Sequence, residues 1–229
     1  MNILLIAGHG DGDSGAVGSG YKECELTREF ASLICSKLNK VCHSDLADTS
    51  RNWFEYLGTN NYDFSDYDYV LEIHFNAGGG TGSEIYVTNS EKGITVEEAI
   101  LKNLCDAAEY TNRGVKRKDF RVIHRIKSQG VSSALLEVCF IDNITDIDIY
   151  QQKKDSIAQA IVNGIAEGFG LTALTPEVPD NNPDSGNENN AIEWCIKHNL
   201  LPEGTILDSH KIWICTLLYN TVKFMAEND

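Results

Sequence analysis

The sequence predicts an α/β fold, a twisted and mostly parallel sheet flanked by helices, with a small helical C-terminal domain appended. Three observations carry this. Short apolar runs bounded by glycine-rich turns, Ile3-Leu4-Leu5-Ile6 and Ala134 to Ile141 among them, read as buried strands. Stretches with apolar residues three and four positions apart alternate with those runs and read as helices. A segment rich in Pro, Asn, Asp, Ser and Gly, residues 172–190, has linker composition and separates these patterns from a second pair of helical ones. At 229 residues the chain accommodates one good-sized domain, 1–171, the linker, and a short tail, 191–229.

Asn2 to Ala7 is a buried strand that runs into a glycine-rich loop, Gly8 to Gly20, able to bring backbone close to a metal or a substrate. Leu26, Phe30, Leu33, Ile34 and Leu38 fall at helical spacing, which sets Glu23 and Glu25 in the first turn, where carboxylates also suit the helix dipole. Val41 to Leu46 is a second strand and Tyr69 to Phe75 a firmer one; another, Ser83 to Thr88, follows the Gly78-Gly79-Gly80-Thr81-Gly82 turn. Helix resumes from Thr95 to Tyr110, and a basic stretch, Arg113 to Lys118, leads to a short strand at Arg121 to His124. Ala134 to Ile141 is the most apolar strand and is expected at the centre of the sheet. Ile157, Ile161, Ile165 and Phe169 step by four along a closing helix that stops at Gly170. In the tail, Ile192, Cys195 and Ile196 and then Ile212, Cys215, Tyr219 and Val222 outline two helices. So short a segment rarely buries a core alone, so it is expected to form a homodimer, to dock on the larger domain or to bind a surface.

The net charge of −15, with no large cationic cluster, excludes a nucleic-acid partner. The seven cysteines are odd in number, show no C-x-x-C spacing and mostly occupy apolar periodic positions, which suits reduced, buried thiols made in a cytoplasm. No basic region precedes Ile3 and its apolar run is cut at Gly8, so neither a signal peptide nor a membrane span is expected there.

Four residues in matching contexts carry the chemistry. His9 sits directly after the first strand, Glu23 at a helix start, His74 at the end of an apolar run, and Glu137 inside the most apolar strand. Two histidines and a carboxylate can hold a zinc ion with one position open, and a second carboxylate can handle protons beside it. On spacing alone Cys24 and Glu25 compete with Glu23. Glu137 is the hardest to explain otherwise, because a carboxylate in an apolar strand costs several kcal/mol unless it is paired or linked to a metal. A Rossmann reading of Gly8-His9-Gly10-Asp11-Gly12-Asp13 fails at Asp13, where the third glycine belongs, and its acids repel a pyrophosphate.

Over residues 1–171 these motifs resemble those of the zinc-dependent N-acetylmuramoyl-L-alanine amidases, cell-wall hydrolases that include many phage endolysins. Gly8-His9-Gly10 with Asp13-Ser14-Gly15-Ala16 is similar to that family's first-ligand loop, and Glu23 followed by Leu26, Thr27 and Ala31 to its second-ligand helix. Glu72-Ile73-His74-Phe75-Asn76-Ala77 resembles the third-ligand strand, and Leu136-Glu137-Val138-Cys139-Phe140-Ile141-Asp142-Asn143 the segment with the catalytic glutamate. Cys139 stands where glycine is frequent, and the segment between Leu46 and Tyr67 is short. The resemblance implies one zinc per chain on His9, Glu23 and His74, a Glu137 that takes and returns the proton, and an Asn76 that binds or orients substrate. The implied substrate is bacterial peptidoglycan, cut between N-acetylmuramic acid and L-alanine. A zinc peptidase of the stem peptide and a non-catalytic wall-binding protein are the alternatives. The tail resembles a single surface-layer-homology repeat. An endolysin of this type is expected to be made in the host cytoplasm and to reach the wall after holin-type release.

Overall fold

The computed structural model describes residues 1–171, 195–197 and 200. The chain divides into two units, Met1–Pro176 and Glu177–Asp229, and the linker and most of the tail lie outside the described residues. In chain order the first unit contains β1 (Asn2–Ala7), β2 (Val17–Gly18), β3 (Tyr21–Lys22), α1 (Glu23–Leu38), β4 (His43–Leu46), α2 (Trp53–Thr59), β5 (Tyr69–Asn76), β6 (Ser83–Val87), α3 (Thr95–Ala108), β7 (Asn112–Arg117), α4 (Arg121–Lys127), β8 (Ser132–Phe140) and α5 (Ile144–Phe169). The main sheet has six strands in the order β4-β1-β5-β8-β6-β7, while β2 and β3 form a small hairpin at the end of the glycine-rich loop.

Four of the five pairings in the main sheet are parallel, and only β6 against β8 is antiparallel. The mostly parallel α/β sheet with β8 in its interior is thus as expected. Alternation along the strands feeds two cores. Ile3, Leu5, Leu71, Ile73, Leu136 and Val138 face α1, α3 and α5 in the larger one. Leu4, Ile6 and Val70 face the other way, under Trp53, Leu57, Val122 and Ile126 of α2 and α4.

One local expectation fails. Arg121 to His124 is not a strand but the start of α4, because Val122, Ile123 and Ile126 bury one side of a helical turn. The strand lies earlier, in the basic stretch, as β7. An edge strand needs no apolar face, and charge on it discourages pairing with another chain, so alternation is absent where the strand is found. Helix α2 was not anticipated; the Asn52 side chain caps it by accepting from Glu55 N (3.2 Å).

Cys35, Cys42, Cys105 and Cys139 are buried free thiols, as expected, and Cys24 is half-buried. Among the described residues no helix is long and apolar enough to cross a membrane.

Candidate metal centre

The centre forms where β1 and β5 end, at the carboxyl side of adjacent parallel strands. His9 follows β1 with φ of 63°, in the left-handed region. Several bonds hold it there. Arg28 donates to the carbonyls of His9 (3.0 Å), Cys24 (2.7 Å) and Thr49 (2.7 Å), and Thr27 donates to Gly8 O (2.8 Å). A tight turn between Gly10 and Asp13 then brings the Asp13 carboxylate back to His9 Nδ1, at 2.8 Å.

Glu23 opens α1 and is 4% exposed. Its Oε1 accepts from Phe75 N (3.0 Å) and lies 2.9 Å from His74 Nδ1; its Oε2 accepts from Ala16 N (2.9 Å) and lies 3.0 Å from His9 Nε2. Burial opposes its charge, but the two histidines outweigh burial and hold the carboxyl well below its ordinary range. His74, on β5, is raised well above the usual imidazole value: burial works against it, and the carboxylates of Glu72, Glu23 and Glu137 outweigh burial. His9 is raised for the same kind of reason, mainly by Glu23.

Close approach explains two of the glycines. A Cβ on Gly8 would lie 2.4 Å from the His74 ring, and one on Gly15 would lie 2.6 Å from His9 and 2.7 Å from Glu23 Oε2. The glycines therefore clear the space into which the side chains converge.

One donor atom each from His9, Glu23 and His74 lies within 4.8 Å of the others. Glu25 is exposed and pairs with Lys22 (3.5 Å), so among the acids of that turn only Glu23 reaches the histidines. His74 Nε2 is 3.1 Å from Glu72 Oε1 but lacks the alignment of a hydrogen bond. That nitrogen, Glu72 Oε2 and Glu137 Oε2 are buried without a hydrogen-bond partner among the described residues. Orphaned polar atoms beside two imidazoles and a buried carboxylate fit a divalent cation bound through nitrogen and oxygen.

Glu137 pairs with His74 in the sheet register, and its side chain therefore shares the face of His74. Burial pushes its carboxyl up to about 7; His74 opposes the shift, and Glu23, Glu84 and Glu72 add to it. Asn76 donates from Nδ2 to Glu84 Oε1 (3.0 Å) and accepts from Ala77 N (2.9 Å), so its amide is engaged within the protein. Glu72, Asp13 and Glu84 were not singled out from the sequence. For Glu72 a signal existed: positions 72, 74 and 76 alternate on one strand and place Glu72 beside His74.

Residues 3–167 match the family model described as N-acetylmuramoyl-L-alanine amidase. The chain is 31% identical over 185 residues to N-acetylmuramoyl-L-alanine amidase CwlM of Bacillus licheniformis, covering 75% of this chain and 70% of that protein. It is 29% identical over 179 residues to the sporulation-specific N-acetylmuramoyl-L-alanine amidase of Bacillus subtilis (strain 168), covering 75% and 69%. The fold is shared with the catalytic domain of CwlV, an N-acetylmuramoyl-L-alanine amidase from Bacillus (Paenibacillus) polymyxa var. colistinus: TM-score 0.64 and 23% identity, covering 75% of this chain and 99% of that one.

Proposed function

This chain belongs to the N-acetylmuramoyl-L-alanine amidase family, and from that membership we propose that it is a zinc-dependent hydrolase cutting the amide between the lactyl group of N-acetylmuramic acid and L-alanine in peptidoglycan. His9, Glu23 and His74 would hold the ion. Bound zinc supplies a Lewis acid that polarises a carbonyl and makes water a better nucleophile near neutral pH.

The observation that carries the reading is the register pairing of Glu137 with His74, which sets a half-buried carboxylate of raised proton affinity beside the triad. Near neutral pH such a group can take a proton at Oε2 from the attacking water and return it to the leaving amine of L-alanine. Asp13 orients the His9 ring through Nδ1, so that Nε2 is turned toward Glu23, and Glu23 itself holds His74 Nδ1 at 2.9 Å with Glu72 3.1 Å from the other ring nitrogen. The buried free thiols of Cys35, Cys42, Cys105 and Cys139 support synthesis in a reducing compartment. We assign the protein to the lytic, endolysin-type members, acting on the wall after the membrane is opened by another factor.

Mass spectrometry of digested peptidoglycan tests the reaction. Expected are new L-alanine amino termini together with glycan that keeps its lactyl carboxylate. New amino termini within the stem peptide would replace the amidase with a peptidase. Glu137→Gln is expected to keep zinc and to lose about 100-fold or more in rate; undiminished hydrolysis by that variant would remove Glu137 from its role.

A further inference from the structure

The strand β7 has no part in the chemistry above, yet it carries Arg113, Lys116 and Arg117, followed by Lys118, in a chain of net charge −15. We propose that Arg113 and Lys116 form a carboxylate-binding subsite that takes the acid groups of the peptide released by the reaction; this rests on the amidase reading.

The sheet lays out the path. His74 pairs with Glu137, and Glu137 pairs with Glu84 on β6, so a row of polar side chains crosses one face from the metal centre toward the β7 edge. Glu84 is 3% exposed and gathers four donors: Asn76 Nδ2 (3.0 Å), Tyr86 OH (2.7 Å), Arg113 Nε (2.6 Å) and Lys116 Nζ. One carboxylate thus anchors two cations and leaves a net positive charge at the outer end of the row. Both cations remain accessible, with side chains 34% and 37% exposed. Arg113 also lies over the Phe140 ring (4.9 Å), and its Nη1 donates to Thr81 O (3.4 Å). A guanidinium fixed by a carboxylate and an aromatic ring, with donors to spare, is prepared for a second carboxylate.

The other side of the centre has the opposite character. There, beside Asp11 and Asn52, lies an open cavity of about 480 Å³ lined also by Asp48, Ser50, Glu55 and Tyr56. Its one cation, Arg51, is taken up by Asp48 (3.5 Å) and the Tyr56 ring (4.0 Å). An anionic peptide is repelled on that side and attracted on the other, so the charge pattern fixes which way the scissile amide lies across the centre.

The test compares a muramoyl peptide ending in a free carboxylate with the same peptide ending in a carboxamide, using wild type, Arg113→Gln, Lys116→Gln and Lys118→Gln. Wild type is expected to favour the acid by about tenfold in kcat/KM, carried by KM. Arg113→Gln and Lys116→Gln bring the ratio close to one, and Lys118→Gln, which sits on Phe120 outside the cluster, keeps it. Calorimetry of the released peptide, acid against carboxamide, on the zinc-loaded proteins is expected to give the same ratios without hydrolysis; if Arg113→Gln fails to fold, Lys116→Gln carries both measurements. Equal treatment of acid and carboxamide by wild type, or a ratio that both variants preserve, overturns the subsite. A wild type that binds the acid preferentially but hydrolyses neither substrate supports the subsite and overturns the amidase reading instead.

Discussion

Each histidine of the triad turns its second ring nitrogen toward a carboxylate: His9 Nδ1 to Asp13 at 2.8 Å and His74 Nε2 to Glu72 at 3.1 Å. The hydrogen bond to Asp13 keeps the proton on Nδ1 of His9, leaves its Nε2 for a cation and increases its basicity, while the charge of Glu72 acts on the unpartnered Nε2 of His74. The two partners differ in setting. Glu72 is buried, while Asp13 is exposed and held by Gly15 N, which, with His9, keeps its carboxyl below the ordinary range. Asp13→Ala and Glu72→Gln are each expected to weaken zinc binding by about 10–100-fold, read by competition with a chromogenic chelator. Unchanged affinity in both variants would mean that the rings are oriented by packing alone.

At the level of elements, the start of α5 joins two separate parts of the sheet. Asp146, in its first turn and 2% exposed, accepts from Phe140 N (3.0 Å), Gly82 N (2.9 Å) and Thr81 Oγ1 (2.7 Å), fastening the end of β8 to the loop before β6. Asp146→Ala strands those donors in a buried place, at about 1–3 kcal/mol for each one left unsatisfied. A loss of about 2–4 kcal/mol in urea unfolding is expected; a loss below about 0.5 kcal/mol would show that the loop finds other partners. None of this was legible in the sequence, because Thr81, Gly82 and Phe140 meet Asp146 only in the folded chain. What was legible had a local cause. The runs of β1 and β8 are apolar because those strands are interior, and β5 was recognisable for the same reason. Glu23 was separable from Glu25 only through resemblance to a family, since a helix start suits either acid; the fold decides by turning Glu23 inward and Glu25 to solvent. Strand β7 was misplaced because an edge strand made of charged residues has no apolar period to read.

Across the whole first unit, the centre joins three separate elements: the end of β1 through His9, the start of α1 through Glu23, and β5 through His74. Around the two imidazoles stand the buried carboxylates of Glu23 and Glu72 and the half-buried Glu137. In the absence of a cation their charge is only partly compensated, and Glu72 Oε2 and Glu137 Oε2 keep no partner among the described residues. A bound divalent ion would therefore act on stability as well as on the reaction, because the unfolded chain does not bring the three elements together. At a free concentration of about a thousand times Kd the gain is about 4 kcal/mol. For a domain of this size each kcal/mol moves Tm by about 2–4 °C, so zinc is expected to raise Tm by about 10 °C over the chelator-treated protein. Scanning calorimetry with zinc and with chelator measures this directly. His74→Ala should abolish the zinc-dependent increment and Glu137→Gln should preserve it, which separates holding the ion from handling the proton. An equal Tm with and without zinc in the wild-type protein would leave His9, Glu23 and His74 as a charged network with no cation to bind.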